Sequence, residues 1–200
     1  GLVYDTIYHE HLLYISVKPL NSLFNRFGFE VFDVDEVSIH GGSIRIFVCR
    51  KDQHIIKKSV NQIIKKEEKA NLFNISRLNL FSEQVKEHKK QLRELLLEIK
   101  KQGKSIAAVS APAKGMTLLN YCEIDSNILD FITEKSSLKI GKYSPGAHIP
   151  IFSDNKLFEK KPDYALLLAW NFADEIIENL SEFKNSGGKF IIPIPKPKII

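Results

Sequence analysis

The spacing of apolar positions along this chain changes several times, and each change marks an element. Residues 6–27 read as a helix closed by Gly28, with Pro19 as the point where it breaks or restarts. From Phe29 to Lys51 the period shortens to two. Ile44, Ile46 and Val48 alternate there with Arg45 and Phe47, and Gly41-Gly42 sits between two extended runs. Paired glycines tolerate the positive φ of a tight turn, so the stretch predicts a β-hairpin. A lysine-rich helix over 55–70 follows, its charges forming a solvated face.

Ser76 to Gln102 is the clearest helix. Phe81, Val85, His88, Leu92, Leu95 and Ile99 repeat at steps of four and three, a stripe suited to packing against a domain or a partner helix, with His88 as a packing residue. Beyond it, strand and helix alternate. Strands are predicted at 105–111, 129–135, 148–153, 164–170 and 189–195, and helices from 114 and over 171–188. The run 164–170, YALLLAW, is apolar almost throughout, as in a parallel strand covered on both faces. The pattern is that of an α/β chain: an N-terminal helix plus β-hairpin segment (1–75), a long connecting helix (76–102), and a doubly wound parallel sheet (103–200).

Composition narrows the class. The 200 residues are 44% hydrophobic and 26% charged, enough for a buried core. No apolar run is long enough to span a bilayer, and the first residues lack the layout of a secretion signal. Cys49 and Cys122 are the only cysteines, too few and too far apart for a disulfide framework or a cysteine zinc site built from this chain. A reducing cytoplasm is expected. The net charge of +5 is scattered and comes with no aromatic-basic motif, so nucleic acid is not singled out as a partner. Residue 1 is glycine, which suggests a piece cut from a longer protein.

Three segments could carry chemistry. In DTIYHEHLLY (5–14), His9 and His11 are two apart and on a helix would point in nearly opposite directions, which disfavours a shared metal; the HExxH spacing is also absent. Tyr8 and His11, three apart, would share a face and set a phenol beside a base that titrates near neutrality. The alternative is that these rings simply pack in a core. In HGGSIR (40–45), glycines admit close approach of a ligand and Ser43 and Arg45 could hold a phosphate; the alternative is a plain turn. SAPAKGMTLLNY (110–121) follows a strand and opens a helix, where backbone N–H groups and Lys114 favour an anion, although only Gly115 matches a glycine of the GxGxxG fingerprint.

Together with KIGKYSPGAHIPIF, PDYALLLAWNFADEI and GGKFIIPIP, these segments resemble, in the same order, the C-terminal portion of the sugar C-methyltransferases. These S-adenosylmethionine-dependent enzymes methylate a carbon of nucleotide-linked keto-sugars. The resemblance implies that a base removes the proton beside the sugar ketone and that the enolate attacks the methyl group on sulfur. His11 would be the base, Tyr8 and Glu10 would orient it or steady the developing charge, and His9 would be structural. His40, Gly42, Ser43, Arg45, Lys114 and Tyr143 would meet the nucleoside diphosphate sugar, and the loop at Lys114 would belong to a Rossmann-like C-terminal domain.

Family members usually also carry an N-terminal zinc module and a cofactor-binding Rossmann domain, and neither lies in this chain. The cofactor, the zinc and the rest of the full-length chain as partner are therefore expected outside it. These residues alone should bind S-adenosylmethionine poorly and not turn over. The family's loop commonly reads GxGAPAKG, whereas Ala108 and Ser110 stand here at the two leading glycines. A stand-alone Rossmann-like nucleotide-binding or dehydrogenase-like module, and a helical interaction protein using the 81–99 stripe, are the competing expectations.

Overall fold

The computed structural model describes residues 2–38 and 42–200. His40 and Gly41 of the glycine hairpin lie outside the described residues. The chain forms two compact units, one of residues 11–82 and one of residues 1–10 with 83–200. No helix among the described residues is long and apolar enough to cross a membrane.

The unit 11–82 is built from α1 (Val17–Arg26), β1 (Phe29–Val37), β2 (Ser43–Arg50) and α2 (Lys58–Lys69). The strands pair antiparallel, as the alternation predicts, and their register shifts between Val31 and Asp33. That bulge lets Val31 and Val34, three apart, both enter the core with Val17, Val60, Ile46 and Val48.

The helix expected over 6–27 is only α1. Its start is set by a long-range cap: the Glu67 carboxylate on α2 accepts the N–H groups of Val17 (2.6 Å) and Lys18 (2.9 Å). Pro19 falls in the first turn, where its missing N–H costs nothing. Upstream, a single 3-10 turn, Tyr4–Thr6, is followed by a turn at His9 and Glu10 and then by non-helical chain to Ser16. The premise that Tyr8 and His11 share a helical face is therefore wrong.

The long helix α3 (Ile75–Lys101) runs through the division between the units. Its buried stripe is Val85, His88, Leu92, Leu96 and Ile99, with Leu96 in the place expected for Leu95.

In the larger unit β3 (Ile106–Val109), α4 (Ala113–Tyr121), β4 (Phe131–Thr133), β5 (Ile151–Phe152), α5 (Asn155–Lys160) and β6 (Tyr164–Leu167) follow in turn. Then come α6 (Ala173–Asn179), α7 (Ser181–Asn185), β7 (Lys189–Ile192) and a short β8 (Lys198–Ile199). The helix expected over 171–188 is broken at Leu180, whose φ of −109° and ψ of 29° let both Leu180 and Phe183 reach the core.

The sheet runs β5-β4-β3-β6-β7-β8, all parallel except the last pair. Counted from β3 this is the order 3-2-1-4-5-6 of doubly wound dinucleotide-binding sheets. β3 is buried at every residue, and so is β6 after Tyr164, as strands covered on both faces must be. The strand order reverses between β3 and β6, and ligands in such sheets bind outside the carboxyl ends of the strands at that point.

Candidate active site

The switch point is built from two short connections. After β3 the chain turns through Ser110, which takes a left-handed φ of 70°, and enters α4. Gly115 in the first turns of α4 is buried against β6's extension. A Cβ there would lie 2.8 Å from Leu168 Cβ and 3.2 Å from the Pro112 ring, so only glycine allows this approach. The helix thereby brings Lys114 beside Trp170 and Asn171, which follow β6. The Lys114 ammonium lies 4.6 Å from the centre of the Trp170 ring and donates a hydrogen bond to Asn171 Oδ1. Burial depresses the Lys114 pKa, opposed by the charge of Asp5.

Asp5 comes from the other end of the chain. Its side chain is fully buried, and Oδ2 accepts the Trp170 indole N–H at 2.6 Å. Oδ1 is buried with no hydrogen-bond partner. Burial raises its pKa, while the Trp170 N–H and Lys114 pull it the other way.

Tyr4 points elsewhere: its hydroxyl lies 3.0 Å from His88 Nδ1 and 3.2 Å from Cys122 Sγ. His88 Nε2 lies 2.7 Å from the Pro193 carbonyl, which can only accept, so Nε2 carries the proton. The Tyr4 hydroxyl then donates to Nδ1, and the Cys122 thiol donates to the Tyr4 oxygen. Burial lowers the His88 pKa and pushes the Tyr4 phenol up. His88 is thus a packing residue with both nitrogens satisfied.

From these two anchors the chain turns outward. Ile7 and Tyr8 donate backbone hydrogen bonds to the carbonyls of Tyr4 (3.0 Å) and Thr6 (3.1 Å). Tyr8 is half-buried, and His9, Glu10 and His11 are all exposed. His11 opens the other compact unit, where its ring meets Tyr14 edge-on at 6.2 Å.

The remaining sequence candidates are divided between the two units. Gly42 and Ser43, with Glu36, Glu67 and Ile44, line a hollow of about 550 Å³ in the unit 11–82. Arg45 is exposed on the opposite face of β2 from Ile44 and Ile46, and its register partner is Asp35. Tyr143 is exposed and its residue bridges Pro150.

Along the carboxyl edge of the sheet lies a cavity of about 530 Å³, within the range of small-molecule sites. Ser110, Glu134, Asp154, Phe158, Phe172 and Glu175 are among its lining residues. Glu134 follows β4, where doubly wound sheets place the acid that takes a ribose hydroxyl. Its oxygens already accept the N–H groups of Ala111 (2.8 Å), Lys135 (2.9 Å) and Ser136 (3.1 Å), and Lys139 lies at 3.5 Å. Burial alone would raise its pKa, but these donors win and hold it below the usual range.

A family model described as the C-methyltransferase C-terminal domain matches residues 38–195. This chain belongs to that family. The match takes in β2 of the hairpin, the long helix and almost all of the sheet. Among curated relatives, the C-methyltransferase NovU of Streptomyces niveus is 38% identical over 198 residues, 98% of this chain and 47% of the relative. The chain thus spans about half the length of the curated relative it matches.

The family's methyl donor does not fit the switch point of this domain. Ser110 and Ala108 stand where close backbone approach asks for glycine, the Asp5 carboxyl group of the chain itself reaches the crevice, and Glu134 has its acceptor sites engaged. The sequence reading passed over Asp5, Trp170, Asn171 and Glu134. Three of them sit one to four residues past a strand end at the switch point or beside it, which is the signal that the order of strands would have supplied.

Proposed function

We propose that this domain is the substrate-binding and proton-abstracting half of an S-adenosylmethionine-dependent enzyme that methylates a carbon of a nucleotide-linked keto-sugar. The observation that carries the reading is the placement of the arm: Tyr4 and Asp5 are buried, and within six residues His9, Glu10 and His11 are exposed. A polar tip held by a packed scaffold is how catalytic loops are commonly built.

In this reading His11 takes the proton from the carbon beside the ketone. Tyr8 and Glu10, its neighbours in the chain, orient it or donate to the enolate oxygen as charge develops. His9 is structural. With no helical face to separate the two histidines, that assignment rests on the family motif. Gly42, Ser43 and Arg45, with His40, Lys114 and Tyr143, serve the sugar nucleotide. S-adenosylmethionine supplies the methyl group from another part of the protein, and zinc belongs to a preceding module.

The 3-2-1-4-5-6 strand order and the 530 Å³ cavity favour the competing reading, a Rossmann-like nucleotide-binding module. The test separates proton abstraction from methyl transfer. In deuterated water, the intact protein with a nucleotide-linked keto-sugar and no methyl donor should wash deuterium into the carbon beside the ketone. His11→Ala should slow that exchange about 10²–10⁴-fold, while His9→Ala leaves it nearly unchanged. Equal losses in the two variants would overturn the assignment of the base.

A further inference from the structure

We propose that Asp5 and Trp170 are positioning residues for Tyr8 and Glu10: their hydrogen bond at the switch point fixes the turn that carries those two side chains. The inference rests on the reading of Tyr8 and Glu10 given above.

Asp5 is a poor device for stability. It is completely buried, yet one oxygen accepts a single N–H and the other has no hydrogen-bond partner. An apolar side chain would hold a 3-10 turn in a core with less desolvation. A buried polar group left partly unsatisfied calls for an explanation, and functional placement is a recurrent one.

The indole is held from more than one direction. Its N–H is directed at Asp5, its face carries the Lys114 ammonium, and its backbone neighbour Asn171 accepts a hydrogen bond from the same ammonium. Trp170 therefore has little freedom to pivot, and neither has the carboxylate it holds.

The link from Asp5 to Tyr8 has no slack. Two consecutive backbone hydrogen bonds, Ile7 to Tyr4 and Tyr8 to Thr6, close the turn. Adjacent anchors also diverge. Tyr4 is fixed to His88 of α3 and to Cys122 after α4, and Asp5 to Trp170 after β6. One anchor would leave the turn free to rotate about it. Two, on neighbouring residues and pointing to different elements, set its rotation and hence the direction in which the chain leaves at Tyr8.

The test uses the intact protein with three variants. Trp170→Phe keeps an aromatic ring under Lys114 and loses the N–H. Asp5→Asn keeps an acceptor for that N–H, and Asp5→Ala removes it. Trp170→Phe and Asp5→Ala should each speed amide hydrogen exchange at Ile7 and Tyr8 by about tenfold or more, leaving β3 and β6 protected. They should lower kcat for methylation of a nucleotide-linked keto-sugar by about 10²-fold with KM little changed, the cost typical of a misplaced catalytic group. Asp5→Asn should restore most of both.

Unchanged exchange at Ile7 and Tyr8 in Trp170→Phe and Asp5→Ala would overturn the proposal. So would faster exchange spread through β3 and β6, which would mean general destabilisation. An Asp5→Asn variant as impaired as Asp5→Ala would overturn it too, by showing that charge and not placement matters. Should Asp5→Ala fail to fold, Trp170→Phe decides. A wild-type protein that exchanges as described yet neither enolises nor methylates keto-sugars would refute the proposed function and leave the positioning result standing.

Discussion

Gly115→Ala puts the packing of the switch point under direct test. The new methyl carbon would stand 2.8 Å from Leu168 Cβ and 3.2 and 3.3 Å from two carbons of the Pro112 ring. Carbon atoms in good contact are roughly 3.5–4.0 Å apart, so the overlap is severe. Neither neighbour can rotate away: a Cβ is fixed by the backbone, and a proline ring is fixed by its closure. Relief requires α4 to move off the sheet.

Overpacking of this kind costs about 1–3 kcal/mol. Alanine in place of glycine inside a helix returns about 1 kcal/mol through propensity. The net expectation is a loss of up to about 2 kcal/mol, a fall in Tm of a few degrees for a chain of this size. Trp170 is the only tryptophan, and it lies at the contact in question, so its emission reports both the unfolding of this unit and the local displacement. With two compact units a single averaged signal would mislead, and a local probe avoids that. Urea unfolding followed at Trp170 should show the lower midpoint, with an altered native emission as Lys114 shifts. An alanine variant of equal or greater stability and unchanged emission would refute the close approach.

Two further outcomes follow from the same unit. Ser110→Gly should stabilise it by about 0.5–1 kcal/mol in urea unfolding, because Ser110 holds a φ of 70° that costs a residue with a Cβ about 1–2 kcal/mol, more than the entropy glycine adds to the unfolded chain. Asp163 accepts hydrogen bonds from the Ser105 backbone N–H, Lys104 and the Ser105 hydroxyl, which lower its pKa to about 2. A depressed folded pKa stabilises the ionised form, so its contribution is complete above roughly pH 4 and is lost as pH falls through about 2. Because the side chain is 36% exposed, that contribution is discounted to about 1 kcal/mol, and Asp163→Asn should flatten the stability-pH curve by that much over this window.

The fold was legible where periodicity is long or burial two-sided. β1, β2, α3 and β6 follow from alternation, from a sustained stripe and from the apolar run at 164–170. The N-terminal helix was misjudged because its boundary depends on Glu67, fifty residues away, whose carboxylate caps Val17. No local pattern carries that contact. The break at Leu180 is similar, set by the demand of Leu180 and Phe183 for the same core.

For the site, the family motif brought out Tyr8, Glu10 and His11, and the structure brings Lys114 close to the start of their arm. Asp5 stands in the same motif, but a lone aspartate before a turn has no local signature. Its meaning depends on Trp170, 165 residues away in sequence.

Asp5 and Glu134 bear on the same question from two sides. A doubly wound sheet generally meets a cofactor at two places, an anion beside the first helix and a hydroxyl at the acid after the second strand. Here the chain's own groups take both roles. The Asp5 carboxylate comes to the switch point, and the N–H groups of Ala111, Lys135 and Ser136 occupy the acid after β4. The crossover geometry that makes such a site is retained, including the glycine at 115 that lets α4 approach the sheet. What it holds is the arm that ends in Glu10. A cofactor's phosphate could be exchanged with solvent, whereas a side chain of the same chain cannot leave, so Asp5 is a permanent fixture beside Trp170.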